Sequence, residues 1–177
     1  MTLEDSVNDV FRKIGRNVML FQHLEYLLKY LVATNSISGY ESELKSQEEQ
    51  RRATINKQTM GQLIGQYIEN SNPESQDILE DPKYFKEEMF IWIKHGFGDS
   101  TDYDNTTKAL TKLVDDRNEL IHHLLPQFDT NSIESCVQIG KKLDKQGNNI
   151  VREIDNIKRE IYGLHKGVKE AVLFLVL

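Results

Sequence analysis

The chain has 177 residues, 22 Lys+Arg against 28 Asp+Glu, a formal net charge of -6 and 38% apolar residues. That length suits one domain with a real core, and the acidic balance excludes a protein that coats nucleic acid non-specifically, which needs many cations to displace counterions. The single Cys excludes a disulfide framework or a cysteine-built zinc site, and ten Gly with three Pro favour long regular elements over many short strands.

The first segment carries a heptad. Leu3, Val7, Val10, Ile14, Phe21, Leu24, Leu28 and Leu31 keep alternating steps of four and three, with polar Asn17 as the one break. This predicts a long helix lying in a bundle, stopped by Asn35-Ser36-Ile37-Ser38-Gly39. The stretch Glu41 to Glu69 predicts a second helix, polar at first, whose inward face is Ile55, Met60, Leu63, Ile64, Tyr67 and Ile68. Gly61 and Gly65 sit beside that face, where small residues let two backbones approach.

The signals change over an insert of about 71–103. Asn72-Pro73 and Asp81-Pro82 punctuate it, and Met89-Phe90-Ile91-Trp92-Ile93 is a compact aromatic and β-branched run before Gly96-Phe97-Gly98. Periodicity does not separate a short strand from a buried helical turn within 88–97; a strand packed on the bundle is the expectation. A third helix is predicted from Asn105 to Leu125, stopped by Pro126. In the fourth, Cys136, Leu143, Ile150, Ile157, Leu164 and Ala171 recur every seven residues, with Gly140, Gly147, Ile154, Ile161, Val168 and Leu175 in the alternate seam position. The heptad predicts a long supercoiled contact, close approach at the two glycines and a kink at Gly147-Asn148-Asn149. Unbroken, it reaches about 65 Å, long enough to overhang the first helix or meet a second chain. The expected fold is all-α: a single domain over 1–177, an up-and-down four-helix bundle with a small insert between helices 2 and 3.

The amino terminus, Met1-Thr2-Leu3-Glu4-Asp5, lacks the positive region and apolar block of a secretion signal. The longest apolar run, Ala171 to Leu177, has seven residues, where a bilayer span needs roughly 20. A cytoplasmic protein with no membrane association is expected, its tail ending a core helix or docking on another chain.

One stretch stands apart: Asp115-Asp116-Arg117-Asn118-Glu119-Leu120-Ile121-His122-His123. On an α-helix Asn118 and His122 are four apart and share a face, with Arg117 one step round. The outer face of an ordinary bundle helix holds Lys and Glu, whereas this strip offers Arg, Asn and His at a proline-stopped end. Arg117 surrounded by Asp115, Asp116 and Glu119 also reads as a helix-surface ion pair, and His122 as a hydrogen-bonded core histidine.

Arg117-Asn118-x-x-x-His122, late in the third predicted helix, resembles the signature of the HEPN superfamily: an Arg, a polar residue directly after it, and a His four to six positions beyond the Arg. The resemblance implies metal-independent RNA cleavage, as in many members, with Arg117 and His122 catalytic, Asn118 supporting, and no cofactor or metal. It also implies a homodimer, so that two motifs line one cleft, and a role as a toxin or in phage defence with a cognate antitoxin. Members paired with nucleotidyltransferase antitoxins often carry a Tyr two positions after the His; Leu124 stands there instead. The residue types suit the chemistry. His exchanges a proton with a ribose 2′-hydroxyl near neutral pH, and Arg is a permanent bidentate cation for a phosphorane-like transition state. The alternatives are a non-catalytic HEPN-like binding or assembly module acting through the fourth helix and tail, and a plain coiled-coil scaffold.

Other groups read more blandly. His122-His123 with the two Asp lacks the i, i+4 His pair of a helical metal site. His23 and Glu25 are expected at a helix edge, with Glu25 able to point at the motif helix. Arg51-Arg52 with Lys57, and Lys141-Lys142 with Lys145, are expected as solvated faces and as the places for any RNA-backbone contact.

Overall fold

The computed structural model describes residues 2–74, 87–94, 96–97 and 99–176. The punctuation at Asp81-Pro82, Gly98 and His95, and the packing of the apolar tail, lie outside the described residues. Among the described residues, five α-helices and a two-stranded sheet make up the fold: α1 (Leu3–Thr34), β1 (Ser36–Tyr40), α2 (Glu41–Ile55), α3 (Met60–Asn70), β2 (Phe90–Lys94), α4 (Ser100–Asn118) and α5 (Ile133–Val176). No helix among the described residues is long and apolar enough to cross a membrane.

α1 begins at a capping box. Thr2 Oγ1 accepts from the Asp5 amide at 3.1 Å and the Asp5 carboxylate accepts from the Thr2 amide at 2.9 Å, satisfying two donors left open at a helix start. Its predicted stripe is the core: Val10, Phe21, Leu24, Leu28 and Leu31 are buried. The helix ends at Asn35, where Arg51 of α2 donates to the carbonyls of Val32 at 2.8 Å and Ser36. A cation there meets the negative end of the helix dipole. Arg51 is therefore a structural cap, and the solvated face expected for it is not found. Its burial also holds its pKa below the usual guanidinium value.

The residues read only as stop signals form a strand. β1 pairs antiparallel with β2, Ser38 opposite Trp92 and Tyr40 opposite Phe90, so the strand expected in the insert exists and finds its partner just past α1.

The single second helix expected over 41–69 is two. Asn56 to Gln58 form turns, and a new helix starts at Thr59, whose hydroxyl accepts from the Gln62 amide while the Gln62 side chain accepts from the Thr59 amide at 2.9 Å. That capping box competes with helix continuation, and the amphipathic pattern changes at the same point. α2 buries only Ile55, whereas α3 buries Met60, Leu63, Ile64 and Tyr67. Of the two glycines, Gly61 faces Val114 of α4, but Gly65 faces open space and serves no close approach.

The extra reversal changes the helix order. Contacts between α1 and α5 advance together, Lys13 with Asp144, Asn17 with Gln146 and Tyr30 with His165, so these two helices run parallel. A simple up-and-down bundle of four would set its first and last helices antiparallel. α4 runs against α5, as Glu119 pairs with Lys142 and Asp116 with Gln146.

α5 is one unbroken helix of 44 residues, about 66 Å along its axis, through Gly147-Asn148-Asn149. Gly147 serves close packing. A Cβ there would lie 2.8 Å from Arg16 Nη2 and 2.9 Å from Asn17 Oδ1, and one at Gly140 would lie 3.3 Å from Lys13 Nζ. The seam predicted from the heptad is the observed one: Cys136, Leu143, Ile150, Ile157 and Leu164 are all buried.

Candidate functional site

α4 starts at Asp99, whose carboxylate accepts from the Asp102 amide at 2.9 Å, earlier than the predicted Asn105. Its inward residues Leu110 and Leu113 continue into Leu120 and Leu124, which anchor the helix end in the core. α geometry stops at Asn118. Glu119–His123 form a π-helical turn, and Leu125–Gln127 a tight 3-10 turn containing Pro126. π turns are rare and recur at functional sites.

The wide turn alters which side chains share a side. In α geometry Arg117 and His122, five residues apart, would point about 140° from one another. A turn closed by i→i+5 hydrogen bonds holds more residues per revolution, so the same five steps carry His122 back toward the side Arg117 occupies. The sequence spacing paired His122 with Asn118; a widened turn also lessens the angle between His122 and Arg117.

Asn118, His122 and His123 are exposed and Arg117 is half-buried. The rings of His122 and His123 lie edge to face, centroids 6.2 Å apart. Among the described residues no side-chain hydrogen bond joins Asn118 to His122. Three carboxylates were expected to compete for Arg117, and none does. Asp116 is taken by Lys112 at 3.0 Å, Glu119 by Lys142 of α5, and Asp115 points to solvent. The Lys142 hydrogen bond, with smaller help from the charge of His123 and a bond from Gln127, holds the Glu119 carboxyl below the usual carboxylate range. Arg117 is left without an ion pair among the described residues.

Behind the turn lies a polar strut that sequence reading registered only as a break in the heptad. Asn17 of α1, fully buried at 0% exposure, donates through Nδ2 to the Leu143 carbonyl at 2.8 Å and to Gln146 Oε1 at 2.9 Å. Gln146 Nε2 in turn donates to the carbonyl of Asp116 at 2.9 Å, one residue before Arg117.

The remaining candidates separate from this site. Glu25 bonds Lys29 at 2.9 Å on its own helix, and His23 is exposed. His165 shares a 2.5 Å hydrogen bond with Tyr30. Arg52 pairs with Glu48 at 2.6 Å, while Lys57, Lys141 and Lys145 are exposed. Among the described residues no group of three or more His, Cys, Asp and Glu side chains is placed to hold a metal. A cleft of about 360 Å³ opens between α3, α4 and α5, at the opposite end of α4 from the motif. Its wall includes Glu153, 4% exposed, whose carboxylate accepts from Arg152 Nε at 2.9 Å and Asn156 Nδ2 at 2.7 Å.

Comparison of the chain with protein-family models, with curated proteins and with solved structures finds no match.

Proposed function

We propose that the chain is a HEPN-like, metal-independent endoribonuclease built on Arg117 and His122. The observation that carries the proposal is the free state of Arg117 among the described residues: a half-buried cation at the end of α4, just before a π-helical turn, bound to none of the carboxylates around it. In this reading His122 takes the proton of a ribose 2′-hydroxyl, and the oxygen attacks the adjacent phosphorus. The P–O5′ bond breaks, and the leaving oxygen takes a proton from a second imidazole or from water. The products are a 2′,3′-cyclic phosphate and a 5′-hydroxyl. Arg117 neutralises charge that builds on the phosphoryl oxygens, which is the largest service a fixed cation renders to this transition state. Asn118, exposed beside both, is free to hold a phosphate oxygen. The resemblance rests on the motif; the parallel run of α1 and α5 lends it nothing.

One motif supplies one His and one Arg, so the reading includes a homodimer in which two motifs face a common cleft. Ile121 and Leu125, the latter 72% exposed, flank His122 as an apolar rim for such a contact. A toxin or phage-defence role in the cytoplasm, with a cognate antitoxin, belongs to the same reading. The exposed rim also favours a second one, a non-catalytic module that docks a protein partner there.

Purified protein is expected to cleave single-stranded RNA in EDTA, leaving cyclic phosphate ends. Arg117→Ala and His122→Ala are each expected to lower the rate at least about 100-fold with an unchanged melting profile. Equal inertness of wild type and both variants on varied single-stranded RNAs would sink the ribonuclease reading in favour of the docking module.

A further inference from the structure

We propose that Gln146, held in place by the buried Asn17, is a positioning residue for the turn that carries Arg117 and His122; the inference rests on the ribonuclease reading of that turn. α4 leaves α geometry at Asn118, where the Glu119 amide is shared between the carbonyls of Asp115 and Asp116. A widened turn disturbs the regular ladder of such bonds. The Asp116 carbonyl, which takes a share of that amide, also receives the Gln146 side-chain amide from another helix at 2.9 Å. It is the one backbone group of 115–119 to which a side chain of α5 reaches among the described residues.

The amide of Gln146 has a single workable orientation. Its oxygen accepts from Asn17 Nδ2 at 2.9 Å, so its nitrogen must face Asp116. Asn17 is oriented in the same way: Oδ1 accepts from Arg16 Nε at 3.0 Å, which turns Nδ2 toward α5, where it also meets the Leu143 carbonyl. Arg16 is fixed by Asp144 at 3.1 Å and by the Leu143 carbonyl at 3.1 Å. Gly147 leaves the space this requires, since a Cβ would collide with both Arg16 and Asn17. Every polar atom along the path has a partner, and a satisfied network of this kind, fully buried at Asn17, specifies one geometry rather than several. The path runs from α1 through α5 to the peptide next to Arg117. It touches neither Arg117 nor His122, so its effect on the reaction passes through the backbone.

The test compares wild type with Gln146→Leu, which removes donor and acceptor, and Gln146→Glu, which keeps an acceptor for Asn17 but at neutral pH cannot donate to Asp116. Amide hydrogen exchange is followed at residues 119–124 and, as an internal standard, at 150–157; kcat and KM are measured on single-stranded RNA. Both variants are expected to exchange about ten-fold faster at 119–124, with wild-type protection kept at 150–157. Their kcat is expected to fall on the order of ten- to a hundred-fold with KM within about two-fold, the mark of misplaced rather than missing catalytic groups. Unchanged exchange at 119–124 overturns the proposal. So does wild-type behaviour of Gln146→Glu alone, because the contact to Asn17 and not the hold on Asp116 would then matter. If wild type cleaves no RNA, the ribonuclease reading fails, and the exchange result still decides whether Gln146 holds the turn.

Discussion

The seam between α1 and α5 has two halves of different character. Toward the C-terminal half of α1, Leu24, Leu28, Leu31 and Val32 are fully buried and α5 offers Ile150, Ile154, Ile157 and Leu164. Toward the N-terminal half Val10, Cys136 and Leu143 are still buried, but a polar set is added: Lys13, Arg16 and Asn17 meet Asp144, Gln146 and the carbonyl of Leu143. The apolar half supplies most of the free energy, because each buried side chain of this size is worth about 2 kcal/mol and needs no particular orientation. The polar half fixes axial register, because its donors and acceptors fit at one offset only. It is also the half from which the strut reaches the Arg117 turn.

Breaking each half should therefore give different signatures. Leu28→Ala, at a position with 0% exposure, is expected to cost about 2–5 kcal/mol in denaturant unfolding. Hydrogen-exchange protection at 119–124 should then fall no further than that global loss explains. Gly147→Ala forces Arg16 and Asn17 aside and is expected to cost about 1–3 kcal/mol. Here exchange at 119–124 should accelerate beyond the global change; an equal loss everywhere would argue that the two halves do not differ in this way.

The smallest effect belongs to Asp144→Asn. The hydrogen bond from Lys13, then that from Arg16, holds the Asp144 carboxyl below the usual aspartate range, and the same bond is the main cause of the raised Lys13 value. A depressed carboxyl contributes stability above its unfolded pKa of about 3.9 and loses it as pH falls through the folded value. Lys13 contributes below its unfolded value and loses this as pH rises through the raised one. Because Asp144 is 45% exposed, screening keeps the difference between wild type and Asp144→Asn under about 1 kcal/mol at neutral pH. That gap is expected to close on acidification below about pH 4; a gap persisting at pH 2 would mean that the pair is not its source.

Much of this was legible in the residues. The heptads of α1 and α5 named their buried faces correctly because a 3.5-residue repeat of apolar side chains has few other ways to leave water. The run Met89 to Ile93 pointed toward a strand by its β-branched and aromatic content, though periodicity did not decide it; its partner gave no such sign, since Ser36-Ile37-Ser38-Gly39 looks like a helix terminator and pairs only when another strand arrives. The break at Thr59 carried a readable sign, Thr-x-x-Gln ahead of an apolar run, which the inward face spanning both helices obscured. The glycines of α5 signalled close approach, and what approaches is polar: Lys13 at Gly140, Arg16 and Asn17 at Gly147.

By itself, then, the sequence determined the helical class, the faces that leave water and the residues of the candidate motif, since composition and local periodicity dictate these. Only the tertiary structure decided that α1 and α5 run parallel, that the turn after Asn118 widens, and that Arg117 stands without a carboxylate partner among the described residues. Each of those depends on groups distant in sequence, with Lys142 drawing Glu119 away and Gln146 holding Asp116, and no local propensity encodes a partner that lies on another helix.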